Sequence, residues 1–311
     1  MIFMNYASIE ISIAAVVPAL LLMAFVFIKD RAEKEPFGLL ALLFAAGGLV
    51  YMPLWFLETK AGVLLDGMFS KYKTYTHEGA VHFSSETAET VYNLLFSFVV
   101  VALLEETVKW AVLYFMTRKN KNFNYMFDGI VYSVFISMGF AAVENIRYAW
   151  EAGWDTLLLR SIASVPTHLF FGVISGCCYT FWHTRYIAKQ KEAELAKDNK
   201  ITVKKPFKSG GLLLLSWLVP VLLHGIFSSV MEFSSTTLTL GFYVITTAIY
   251  LVCFIAIDRM SDTDSANNRS VFSLLSKKYP DVKFAFVDDG DGIADNDDIT
   301  VENDEVSDDE L

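Results

Sequence analysis

Apolar residues in this chain do not alternate with polar ones. They run in blocks of the length a bilayer-crossing helix needs, about 20 residues, separated by polar connections. Seven such blocks are predicted as spans, at 8–28, 37–57, 91–116, 127–150, 156–182, 210–232 and 238–257. The pattern predicts an all-α fold, a polytopic membrane helix bundle occupying 1–257. Beyond Ile257 hydropathy collapses, and 258–311 is expected to be a polar, acidic, largely disordered tail.

Lysine and arginine set the expected orientation. Lys29, Arg31 and Lys34 fill the first connection, Arg118, Lys119 and Lys121 the third, and Arg185 with seven lysines through Lys208 the fifth, whereas the even connections are poor in them. By the positive-inside rule the N-terminus is outside and the C-terminus cytosolic, in a multi-pass protein of the cell membrane. The chain up to and including Glu10, at the start of the first block, carries no basic residue, so that block is expected to stay as a span.

Composition agrees: 54% of residues are hydrophobic and 15% aromatic. The formal charge of -10 comes mainly from Asp and Glu crowding Asp281 to Glu310, and no basic stripe suggests nucleic acid, so the lipid bilayer is the expected environment. Cys177, Cys178 and Cys253 all lie inside spans and read as small core residues. Pro18, Pro53, Pro166 and Pro220 also fall in spans, and Gly172 and Gly176 offer a small face for close helix contact. Asp289 to Asp298 has the alternating carboxylates of a calcium loop but lacks the bidentate Glu at the twelfth position, so it reads as solvated tail. His77, Glu78 and His82 read as a solvated outer loop.

The chemistry lies in polar residues inside the apolar blocks. The third block carries Glu105, Glu106 and Lys109. An ionised group near the bilayer centre costs at least about 2.5 kcal/mol on insertion scales, so such groups face a bundle interior and mark function. Glu105 and Lys109 share a helix face, and Glu106 is also within reach of the lysine. One ammonium cannot satisfy two carboxylates, so one is left to meet water, a proton or another helix. The fourth block adds Glu144 and Asn145, with Tyr148 one turn on; the fifth adds His168 and the sixth His224. Counted at about 1.5 Å per residue from each span's midpoint, Glu105 and His168 fall within roughly 3 Å of centre and His224 and Glu144 roughly 5 and 8 Å to the outer side, so a shift of a few residues in the span ends brings all four to one plane. This set suits hydrolysis, with a Glu activating water and His or Asn donors on the oxyanion. Glu144, His168 and His224 are also of zinc-ligand type, although no HExxH pair is present.

These residues resemble the PrsW family of intramembrane proteases, distantly related to the CAAX-prenyl protease and bacteriocin-processing proteins. The resemblance runs from about Asp30 to Ser228. It rests on Glu-Glu-x-x-Lys at Glu105, Glu106 and Lys109, on Phe127-Asp128-Gly129, on Gly139 through Asn145, and on His168 after Arg160, with His224 in the sixth block. Asp30 through Pro36 is similar to the family's acidic segment ending in proline. The resemblance implies an endopeptidase that cleaves a membrane-anchored protein, in some members an anti-sigma factor. It also implies Glu105, Glu106, Lys109, Glu144, Asn145, His168 and His224 as the site. Related families often carry Asn or Asp four residues after the last His, where this chain has Ser228. A proton-coupled transporter or membrane sensor using the same groups is the competing reading, against which stands the absence of an internal repeat.

Overall fold

The computed structural model describes residues 6–75, 81–232, 236–264, 270–286 and 299–301. Among the described residues six stretches are long and apolar enough to cross a membrane, and one of them, Asp128–Lys197, contains two helices, α6 (Asp128–Ile162) and α7 (Ser164–Lys197). Each of the seven expected blocks therefore corresponds to helix. The surface is apolar where a water-soluble protein would be polar: Ile13, Leu21, Phe37, Leu49, Phe56, Phe115, Val244 and Val252 all project outward from the bundle. Exposed apolar surface on this scale needs a covering phase, and a bilayer supplies it.

At the centre stand α6 and α7, packed antiparallel. Residues 128–142 of α6 are buried without a break, which a helix achieves only when neighbours surround it. Helices α1 (Tyr6–Lys29) and α2 (Phe37–Leu49) cover one side, and α5 (Leu103–Thr117) and α8 (Gly210–Glu232) the other, with α9 (Thr236–Asp264) outermost. Lipid gives helices no hydrophobic reason to associate, so close contact depends on small residues. The face expected at Gly172 and Gly176 does this: a β-carbon on Gly176 would run into the carbonyl of Gly129 in α6, so only glycine permits the approach.

Several boundaries differ from those drawn on hydropathy. The second block is two helices, α2 and α3 (Tyr51–Phe69), meeting at Val50. Pro53 and Pro166 sit in the first turns of α3 and α7, where a missing N–H is harmless, and only Pro18 and Pro220 lie inside helices. Helix α3 runs well past Leu57, so Glu58 and Asp66 belong to a helix and not to the expected outer loop. Helix α7 likewise continues to Lys197 through Ala, Lys, Glu and Gln, residues that extend helices as readily as apolar ones do. Helix α4 (Glu86–Leu95) starts at Ser85, which caps the Ala88 N–H, and passes through a π-helical stretch, Phe96–Ala102, into α5. The connection after α3 is closed by a hairpin of β1 (Lys73–Tyr75) and β2 (Val81–Phe83), on which His82 is exposed; His77 and Glu78 lie outside the described residues.

The chain beyond Ile257 holds more structure than its composition suggests. Helix α10 (Ser270–Lys278) and the antiparallel pair β3 (Phe284–Phe286) and β4 (Ile299–Val301) form a small cap on the far end of α7. Val271, Leu275, Phe284 and Ile299 close over Ala188, Leu195 and Ile201. Buried Glu192 of α7 pairs with Lys278 and accepts hydrogen bonds from the Tyr279 hydroxyl at 2.7 Å and the Phe207 N–H at 3.2 Å. The run Asp289 to Asp298 lies outside the described residues.

Candidate active site

Six of the seven expected residues meet in the interior. Glu105, Glu106 and Lys109 of α5 are each at most 4% exposed. The Lys109 ammonium pairs with Glu106, and lies 3.6 Å from Glu105 Oε2 and 3.3 Å from His168 Nδ1. An ammonium only donates, so His168 Nδ1 accepts and its proton sits on Nε2. From there it donates across 3.0 Å to Glu144 Oε2. By the same logic His224 donates from Nδ1 to Glu106 Oε1 at 2.8 Å. Phe171 stacks on the His224 ring, and Phe140 lies under the Lys109 ammonium at 4.7 Å.

The two adjacent glutamates are thus in different situations. Glu106 is held by an ammonium and an imidazole. Glu105 is not: its Oε2 is buried without a hydrogen bond, the nearest cationic or imidazole nitrogens being Lys109 at 3.6 Å and His224 at 4.0 Å. A cavity of about 510 Å³ opens beside it, lined also by Glu58, Arg160, His168, His224 and Ser228. Glu106 does not reach this wall. The arrangement offers a carboxylate with one oxygen free of hydrogen bonds, on a residue that lines a space large enough for water and a segment of extended chain.

Asn145 is the residue not brought in. It is fully buried, and its amide donates to the Ala15 carbonyl at 2.9 Å, tying α6 to α1. Residues that sequence reasoning missed line the cavity instead. Glu58 carries a signal that could have found it, since Leu54, Glu58, Gly62 and Asp66 recur every fourth residue and so continue the helix. Arg160 stood in the sequence only as a landmark before His168, although a lone arginine among leucines is itself a signal.

For a metal, the described residues whose ligand atoms lie within 4.8 Å of one another are Glu105, Glu106 and His168. Their chemistry is that of a zinc donor set. However, Lys109 Nζ stands among the same three residues, paired with Glu106 and within 3.3 Å of His168 Nδ1 and 3.6 Å of Glu105 Oε2. As arranged, the donors fit an ammonium, and a divalent ion would have to displace it.

Residues 35–257 match a family described as PrsW family intramembrane metalloprotease. Among curated relatives, a "Protease PrsW" of Oceanobacillus iheyensis is 30% identical across 79% of this chain and 93% of its own length. Another from Clostridioides difficile is 28% identical across 87% of this chain and 98% of its own. A third, from Geobacillus kaustophilus, is 30% identical across 69% of this chain and 76% of its own. No solved structure matches.

Proposed function

The chain belongs to the PrsW family of intramembrane proteases and is a multi-pass membrane peptidase, and from that premise we propose that it hydrolyses a membrane-anchored protein with Glu105 as the base that activates water. The observation that carries this reading is that Glu105 lines the cavity and has a buried Oε2 without a hydrogen bond. Glu58 also lines the cavity and has a buried oxygen without a hydrogen bond, but of the two only Glu105 has an ammonium and two imidazoles beside it.

In this scheme Glu105 takes a proton from water as the oxygen attacks a peptide carbonyl, and returns it to the leaving amine. Glu106 and Lys109 hold one another and fix His168 and His224, so their part is positioning and charge balance. Glu144 orients His168 through its Nε2 proton. No step passes through a metal. The substrate class we assign is a membrane-anchored regulator of the anti-sigma type, and the orientation is N-terminus outside, with the β1–β2 hairpin on the outer face.

The test is a comparison of new protein termini, by mass spectrometry, in membranes holding the wild-type protein or Glu105→Gln at equal abundance. Termini in or near membrane segments are expected with the wild type and should fall by at least about a hundredfold in the variant, the scale of general acid–base catalysis. Identical sets of termini would overturn the mechanism.

A further inference from the structure

The water-activation reading leaves one role unfilled. As water adds, the carbonyl oxygen becomes an oxyanion and needs donors aimed at it. Asn145, the amide expected for this task, is committed to the Ala15 carbonyl. His168 and His224 spend their ring protons on Glu144 and Glu106.

Arg160 is placed differently. It lies sixteen residues after Glu144 in α6, about 24 Å away along a straight helix. Yet its Nη2 is 2.6 Å from Glu144 Oε2. The helix breaks between them at Gly153, with φ 78° and ψ -165°, and this turns the last segment back over the cavity. Tyr148 supports the guanidinium from one face, its ring centre 3.9 Å away. Its Nη2 is engaged in the ion pair with Glu144, whereas Nε is buried with no hydrogen-bond acceptor among the described residues. Arg160, with a buried N–H donor that has no acceptor, therefore lines the same cavity as Glu105. Buried donors without acceptors are rare in folded proteins, and where they occur they call for an explanation.

We propose that Arg160 is the oxyanion donor of this peptidase. The assignment rests on Glu105 as base. A water lone pair attacks the carbonyl carbon while Glu105 accepts the water proton. The carbonyl π pair moves onto oxygen, where the Arg160 guanidinium, through its Nε–H, meets the charge. On collapse that pair re-forms the carbonyl, the C–N bond breaks, and the amine nitrogen takes the proton from Glu105.

The experiment uses the full-length protein in proteoliposomes with a membrane-anchored reporter, chosen because wild type cuts it. Arg160→Gly is expected to lower kcat by about a hundredfold to a thousandfold, the range for loss of an oxyanion donor, with KM within about twofold. Added guanidinium should restore at least about tenfold of the lost rate, and ammonium at equal ionic strength should not. Arg160→Lys, which keeps the charge beside Glu144, guards against a variant that fails to insert; it should melt like wild type and still lose kcat by at least about tenfold. Wild-type kcat in a folded Arg160→Lys protein, or a loss confined to KM, would overturn the assignment. Glu105→Gln is measured alongside. If it keeps full turnover, the water-activation reading fails. If it is inactive while Arg160→Lys is as fast as wild type, the Arg160 assignment alone fails.

Discussion

At the scale of the residue, charge inside apolar sequence was the legible signal, because a bilayer makes ionised groups too expensive to place without purpose. It pointed to Glu105, Glu106, Lys109, Glu144, His168 and His224, which the fold gathers. Partner choice was not legible: nothing in the spacing assigns Asn145 to a backbone carbonyl on α1 or separates bound Glu106 from free Glu105. With Lys109 among the three possible ligands, chelators should leave the purified enzyme active, and metal analysis should find no stoichiometric zinc. Zinc lost together with activity, and restored with it, would refute this. A second prediction concerns Glu35, between α1 and α2. Burial raises its carboxyl from the ordinary 4.5 to about 8; neighbouring Asp30 and Glu33 push the same way, while Tyr132 and Asp128 hydrogen bonds oppose. Asp30 is itself raised by burial to about 6, against the Glu35 N–H and Lys34. A raised carboxyl favours the folded state while protonated, so its stabilisation is complete below about 4.5 and lost as pH rises through about 8. The melting temperature should fall between pH 5 and 9, and less steeply in Glu35→Gln, whose amide still accepts from Tyr132. Equal slopes would show that Glu35 is ionised throughout.

At the scale of the element, hydropathy located every spanning helix but not its ends or bends. A window of apolar residues measures transfer to lipid, whereas helix continuation depends on backbone hydrogen bonds that polar residues make equally well. That is why α3 and α7 outrun their apolar blocks and why Glu58 was read as loop. The bend at Gly153 was hidden for another reason, since a glycine inside an apolar helix has many uses. Its φ and ψ lie in a region essentially closed to other residues, while no atom lies within 4 Å of where a β-carbon would stand. Gly153→Ala should therefore act through the bend rather than through a clash. Straightening would carry Arg160 away from Glu144, and displacements of this kind cost on the order of a hundredfold in rate. We expect the reporter cleavage rate to drop by about that factor with the protein still inserted. Unchanged cleavage would mean that the bend is not needed for the site.

At the scale of the whole molecule, the membrane body and the cap are joined through one helix, since α7 carries His168 near one end and Glu192 near the other. The cap was illegible because net charge dominates the composition of the last stretch, and its few apolar residues, Val271, Leu275, Phe284 and Ile299, are spread over separate segments. Ending the chain before residue 288 removes β4, and ending it before residue 265 removes the whole cap. Both truncations should keep cleavage per inserted molecule near wild type, since neither touches the cavity. The shorter chain should also be less abundant, because Ala188, Leu195 and Ile201 lose their cover. Loss of cleavage at normal insertion would tie the cap to the chemistry. The same feature sets an order in biosynthesis. Ala188, Leu195 and Glu192 are synthesised before Leu275, Lys278 and Ile299, so a growing chain presents Glu192 without its lysine until Lys278 is made and an apolar strip without its full cover until Ile299 is made. The covered strip is thus a sign that the cap has folded, independent of whether the catalytic residues have assembled.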